Sequence, residues 1–123
     1  MKALLDTNIL IDYLSGIKAA KAELALYPDK AISVITWMEV QVGVHTGAEG
    51  DQTVIDQFLS KFTVVPIDMA VSARAVALRQ KTRIKLPDAI IWATAQVENR
   101  LLVTRNSKDF PAKHPGVRIP YLV

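Results

Sequence analysis

The sequence predicts an α/β protein: a three-layer α/β/α sandwich with a mainly parallel central sheet. Three observations predict it. Apolar runs too short for helices recur along the chain, each ending in polar or turn-forming residues. Stretches of helical spacing separate them, and strands divided by helices pair in parallel with crossovers on both faces. The 123 residues, 50% hydrophobic and 22% charged, suit one domain spanning residues 1–123 with a real core.

Lys2-Ala-Leu-Leu-Asp6 reads as a short, wholly buried strand. Thr7 can cap a helix beginning near Asn8, in which Ile9, Leu10, Tyr13 and Leu14 recur at helical spacing until Ser15-Gly16. A second helix runs from about Ile17 to Leu26, with Pro28-Asp29 as punctuation. Ala31-Ile32-Ser33-Val34 reads as a second strand. Thr36 to about His45 is helical, with Trp37, Val40, Gln41 and Val44 on one stripe and Glu39 beside it; Gly43 and the valines would also tolerate a strand.

Gly47 to Gly50 reads as a loop, Gln52 to Phe62 as a helix and Thr63 to Ile67 as a third strand. Asp68 caps a helix from Met69 to about Lys81, with Val71, Ala75 and Leu78 on its apolar stripe. Thr82 to Lys85 is a basic loop. Leu86-Pro87-Asp88 opens a helix that ends near Asn99, since proline suits a first turn, where its missing donor is not needed. Leu101 to Thr104 is a fourth strand, Asn106 to Phe110 a short turn or helix, and Val117 to Leu122 a final strand that Pro120 marks as an edge. The two tryptophans, Trp37 and Trp92, are expected in the core.

Composition excludes whole classes of chemistry. There is no cysteine, hence no disulfide framework, thiolate zinc site or cysteine nucleophile. With only His45 and His114, a metal would be held mainly by carboxylate oxygen, which favours Mg²⁺ or Mn²⁺ over zinc. No apolar run approaches the roughly 18 residues of a membrane span. The start, Met1 to Leu5, runs straight into Asp6 without signal-peptide character, so a cytoplasmic location is expected. Charge is unevenly laid out: residues 1–70 hold 5 Lys/Arg and 9 Asp/Glu, residues 71–123 hold 10 and 3. That division suits a site that gathers cations at one point and polyanions nearby, or two solvated faces.

Ligands in open parallel sheets sit at the carboxyl ends of the strands. Asp6 follows the first strand, Glu39 lies in the helix after the second, Asp88 opens the helix leading to the fourth, and Asp109 follows the fourth with Asn106 nearby. Asp6, Glu39 and Asp88 are all flanked by apolar residues. Acids desolvated together at one edge repel, and a divalent cation resolves the conflict with oxygen ligands. Taken singly, Asp6-Thr7-Asn8 is equally a helix cap, Asp88 a first-turn acid favoured by the helix dipole, and Glu39 a solvent-facing residue.

Four segments carry a resemblance. Leu4-Leu5-Asp6-Thr7-Asn8-Ile9-Leu10-Ile11-Asp12, Ser33-Val34-Ile35-Thr36-Trp37-Met38-Glu39-Val40, Leu86-Pro87-Asp88-Ala89-Ile90-Ile91-Trp92-Ala93-Thr94-Ala95 and Leu102-Val103-Thr104-Arg105-Asn106-Ser107-Lys108-Asp109-Phe110 resemble, in order, the four motifs of a PIN domain of the VapC type. That type is the toxin ribonuclease of bacterial toxin–antitoxin pairs. The resemblance implies a metal-dependent endoribonuclease with Mg²⁺ or Mn²⁺ held by Asp6, Glu39 and Asp88. The fourth ligand is Asp109 by charge or Asn106 by motif position, and Asp109 joins the catalytic acids. Thr7 and Thr104 are expected to brace the site through hydrogen bonds. The resemblance also implies an RNA substrate, a VapB-type antitoxin as partner and a homodimer.

A metal would lower the pKa of an attacking water and neutralise charge on phosphate oxygens, with carboxylates positioning the water. Arg79, Lys81, Arg83 and Arg105 are the expected phosphate contacts, within a basic series that also includes Arg74, Lys85, Arg100 and Lys108. A receiver domain is the rival of similar length and element order. It requires adjacent acids after the first strand, whereas Asp6 is followed by Thr7. A non-cleaving PIN-like domain that binds RNA or protein is the alternative within the same fold.

Overall fold

A computed structural model describes residues 2–45 and 51–122. The elements run β1 (Lys2–Leu5), α1 (Thr7–Leu14), α2 (Lys18–Ala25), β2 (Asp29–Ser33), α3 (Val34–His45), α4 (Gln52–Leu59), β3 (Thr63–Val65), α5 (Met69–Thr82), α6 (Leu86–Val97), β4 (Leu101–Val103) and β5 (Val117–Arg118). The five strands form one sheet in the order β3-β2-β1-β4-β5, with every pairing parallel. Among the described residues no helix is long and apolar enough to cross a membrane. The expected loop at Gly47–Gly50 and the Val44 side chain lie outside the described residues.

Period-two alternation in β1 divides the core. Leu4 points to one face and packs with Val71, Ala75 and Leu78 of α5 and Ile91 and Trp92 of α6. Ala3 and Leu5 point to the other, with Ile9 and Leu10 of α1, Leu24 of α2 and Ile55, Phe58 and Leu59 of α4. Leu4 and Leu5 are fully buried, as befits a central strand covered on both sides. From β1 the chain builds outward through β2 and β3, then returns to place β4 on β1's other side. The strand order therefore reverses between β1 and β4, and a crevice for ligands is expected at their carboxyl ends.

Several local expectations change. Asp6, not Thr7, caps α1: its Oδ1 accepts the Thr7 N–H at 2.8 Å, so Thr7 becomes the first helical residue. α3 begins at Val34, because Ser33 Oγ accepts the Ile35 N–H at 3.1 Å and ends the strand there. Among its described side chains Thr36 and Val40 are buried, whereas Trp37 is 38% exposed, so only Trp92 is a core tryptophan. Trp92 meets the Phe110 ring edge to face at 5.8 Å.

The α4 helix stops at Leu59, where Ser60 is its C-cap, rather than reaching Phe62. The last strand is confined to Val117–Arg118 at the sheet edge, and Pro120, lacking an N–H, lies beyond it.

Candidate active site

The carboxyl end of β1 places Asp6 in the crevice, and its backbone N–H pairs with the Val103 carbonyl of β4 at 2.9 Å. The side chain is 4% exposed. Its Oδ2 accepts from Thr104 Oγ1 at 2.7 Å and from Asn8 Nδ2 at 3.4 Å. Burial pushes its pKa up to about 6, the charges of Asp88 and Glu39 push the same way, and the hydrogen bonds from Thr104 and Thr7 oppose them. No basic side chain pairs with Asp6 among the described residues.

Glu39 stands on α3, with Oε1 accepting from Thr7 Oγ1 at 2.7 Å. Thr7 has one hydroxyl proton, and it goes to Glu39. The 3.0 Å contact between Thr7 Oγ1 and Thr36 Oγ1 is then donated by Thr36. A relay from Thr36 through Thr7 thus links α3 to α1. Asp88, in the first turn of α6, accepts no hydrogen bond from the described residues. Burial raises its pKa, as do the charges of Asp109 and Glu39, while Lys85 opposes them.

Asp109 and Asn106 form a closed pair. Asn106 Nδ2 donates to Asp109 Oδ2 at 2.9 Å, and the Asp109 N–H donates to Asn106 Oδ1 at 3.1 Å. Both polar atoms of the Asn106 amide are therefore directed at Asp109, which it orients. The Asn106 N–H donates to Thr104 Oγ1 at 3.0 Å, so this hydroxyl joins the turn after β4 to Asp6.

The structure brings Asp6, Glu39, Asp88 and Asp109 to one edge: Asp6 feels the charges of Asp88 and Glu39, and Asp88 those of Glu39 and Asp109. It does not draw them into the closed cage expected from sequence: no three of the described acidic side chains stand close enough to hold an ion between them. The reason is local. Glu39 is held by Thr7, Asp109 by Asn106, and Asp6 by Thr104 and the Thr7 amide. The donor chemistry nonetheless fits a hard divalent cation. It is all oxygen, with one nearly buried acid lacking a cationic partner. Mg²⁺ commonly takes only one or two carboxylates and keeps several waters.

The expected phosphate contacts part company. Arg105 is turned inward: Nε and Nη2 donate to Asp12 Oδ2 and Oδ1 at 2.7 and 3.1 Å, so it is bound bidentately and not free for a phosphate. Arg79 Nη1 donates to the Ile84 carbonyl at 3.0 Å. Arg83 is the left-handed C-cap of α5, with φ 62°, and its side chain and that of Lys81 are exposed.

Sequence reasoning missed three supporting residues. Asn8 Oδ1 accepts the Arg105 N–H at 3.1 Å and ties α1 to the turn after β4. Asp12 is 5% exposed and receives Arg105 and, at 2.9 Å, the Tyr121 hydroxyl. An acid one helical turn beyond Asn8, on the buried side of α1, was the available signal.

Known proteins resemble this chain along nearly its whole length. The family model for the PIN domain matches residues 3–113. Ribonuclease VapC10 of Mycobacterium tuberculosis is 32% identical over 116 residues, covering 88% of this chain and 85% of that protein. A chain in a toxin-antitoxin complex from Klebsiella pneumoniae superposes with a TM-score of 0.92 at 49% identity, covering 99% of this chain and 100% of that one. A chain of VapBC2 from Rickettsia felis, solved bound to a promoter DNA fragment, gives a TM-score of 0.80 at 27% identity and covers 96% of each chain.

Proposed function

The chain belongs to the PIN domain family, and on that premise we propose that it is a metal-dependent endoribonuclease, a single nuclease domain over residues 1–123. The observation that carries this reading is the group of acids around Asp6 at the reversal of strand order, Asp6 itself being nearly buried and paired with no basic side chain among the described residues. Asp6, Glu39, Asp88 and Asp109 would hold Mg²⁺ or Mn²⁺, one or two of them directly and the rest through the ion's waters, with Asn106 at the edge of the set through Asp109. When bound, such an ion stabilises charge on phosphate oxygens and makes water a better nucleophile.

The chain's own residues divide the remaining work. Thr104 and the Thr7 amide fix both oxygens of Asp6. Thr7 holds Glu39, and Asn106 holds Asp109. Asp88 accepts no hydrogen bond from the described residues, which leaves its oxygens open to the ion or to a water attacking phosphorus. Lys85, whose charge reaches Asp88, would add positive charge beside a bound phosphate.

The biological role follows from the relatives. A toxin-antitoxin complex and a VapBC complex among them support a toxin half of such a pair, partnered by a VapB-type antitoxin; dimerisation with itself and action in the cytoplasm complete the proposal. The test is RNA incubated with the protein and Mg²⁺ or Mn²⁺. Wild type is expected to cut internally, and Asp6→Ala and Asp88→Ala to be inactive. Binding of RNA without cutting in any metal would favour the non-cleaving PIN-like alternative. Cutting that survives both substitutions would refute the assignment of the site.

A further inference from the structure

We propose that the cleft between α5 and α6, lined by Arg74, Lys81, Thr82, Trp92, Gln96 and His114, is a subsite for the RNA backbone that continues from Asp88 away from the reacting phosphate. The cleft measures about 410 Å³. This inference rests on the ribonuclease reading and adds to it a direction for the strand.

Position is the first argument. Asp88, Trp92 and Gln96 recur every four residues on α6, so they share one face, and Gln96 lies about 12 Å along the helix from Asp88. The three-residue connection 83–85 folds α5 back against α6 as a helical hairpin. Arg74 and Lys81, two turns apart on α5, line this same cleft. A chain leaving Asp88 along that face passes Lys81 first and Arg74 second.

Charge is the second. No acid lines the cleft. Of the five other arginines four are tied down, Arg79 to the Ile84 carbonyl, Arg100 to Asp29, Arg105 to Asp12 and Arg118 to Glu23, and Arg83 lies outside the cleft in the connection after α5. Arg74 and Lys81 have no partner among the described residues and keep their donors for a ligand. The Gln96 side-chain amide is likewise unpartnered among them.

Preorganisation is the third. The His114 ring stands edge to face on Trp92 at 5.5 Å, and its Nδ1 accepts the Gly116 N–H at 2.9 Å. That bond leaves Nε2–H as the free donor and sets the ring plane. Gly116 backs the ring so closely that a Cβ there would come within 3.2 Å. An oriented imidazole donor, an arginine fork and an ammonium around one opening are the chemistry of phosphodiester recognition.

The test compares wild type with the double variant Arg74→Gln/Lys81→Gln, and with Lys18→Gln/Lys21→Gln as a charge-matched control on α2. Binding of a fluorescein-labelled twelve-nucleotide single-stranded RNA is followed by anisotropy across a salt series. Cleavage in Mn²⁺ is measured on that RNA and on a four-nucleotide RNA too short to fill the cleft. Two lost phosphate contacts should reduce the slope of log K against log salt by about 1.4 in the cleft variant only. Its KM for the long RNA should rise roughly tenfold with kcat within about twofold, and the short RNA should be cut as by wild type.

An unchanged slope and KM in the cleft variant, with wild type still cutting, overturns the subsite and leaves the nuclease reading intact. So does an equal loss in the α2 control. Unchanged RNA behaviour with weakened binding of a polyglutamate peptide would reassign the cleft to an acidic protein partner. If wild type neither binds nor cuts RNA, both readings fall.

Discussion

Thr104 Oγ1 donates to Asp6 Oδ2 at 2.7 Å, joining the ends of β4 and β1 across 98 residues of chain. The same oxygen accepts the Asn106 N–H, so one hydroxyl sets the carboxylate and the turn that carries Asp109. Thr104 is fully buried, which makes the geometry of this bond hard to replace. Thr104→Val keeps the shape and deletes the donor. Cleavage should fall about 10- to 100-fold, as is usual for partners that orient a ligand. The hydrogen bond lowers the Asp6 pKa, so the acid limb of the pH–rate profile should move to higher pH. Thr104→Ser should restore both, and a Val variant as active as wild type would remove Thr104 from the site.

Asp6 itself costs stability when no cation is bound. Its pKa is raised from 3.8 to about 6, so between those values the folded state holds more protons than the unfolded state. Stability therefore falls as pH rises through this window, and the loss is complete above about pH 6. In EDTA, Asp6→Asn should gain on wild type from pH 4 to pH 7, by at most about 3 kcal/mol. Urea titrations at both pH values measure it. A difference that shrinks with rising pH contradicts the assignment.

Arg105 and Asp12 form a clamp rather than an RNA contact. Asp12 is nearly buried, and without Arg105 it keeps, among the described residues, only the Tyr121 hydroxyl as a side-chain partner. Arg105→Ala should destabilise the fold by about 2–4 kcal/mol, with Arg105→Lys recovering little because it cannot reproduce the fork. Denaturant midpoints check this. A variant of unchanged stability but weakened RNA binding would restore Arg105 to the phosphate contacts.

The two tryptophans should separate by stability. Trp92→Ala opens the core beside Phe110 and should cost about 3–5 kcal/mol. Trp37→Ala removes an exposed ring and should stay within about 0.5 kcal/mol. Equal losses would place Trp37 in an interface that the single chain does not reveal.

These cases show what was legible in the sequence. The strands were, because Leu4-Leu5, Ala31-Ile32 and Leu102-Val103 are buried on both faces and leave continuous apolar runs. The acids at the strand ends were visible for the same reason, as charges set abruptly into apolar context. Trp37 was not, since α3 is apolar nearly all round and the stripe of Trp37, Val40, Gln41 and Val44 read from spacing does not coincide with its inner side. The Arg105–Asp12 clamp was also hidden. It spans 93 residues, and a basic residue beside a motif reads equally as a phosphate contact. The hydrogen bonds of Thr7 and Thr104 to Glu39 and Asp6 were expected from the resemblance, but nothing in the spacing revealed that Asn106 holds Asp109.

Calorimetric titration of the metal-free protein with Mn²⁺, set beside Asp6→Asn and Asp88→Asn, tests the central claim most directly. Wild type should bind Mn²⁺ at a site that either substitution weakens by at least about tenfold, a loss of roughly 1.4 kcal/mol. Equal affinity in all three proteins would contradict the claim that these carboxylates form the metal centre.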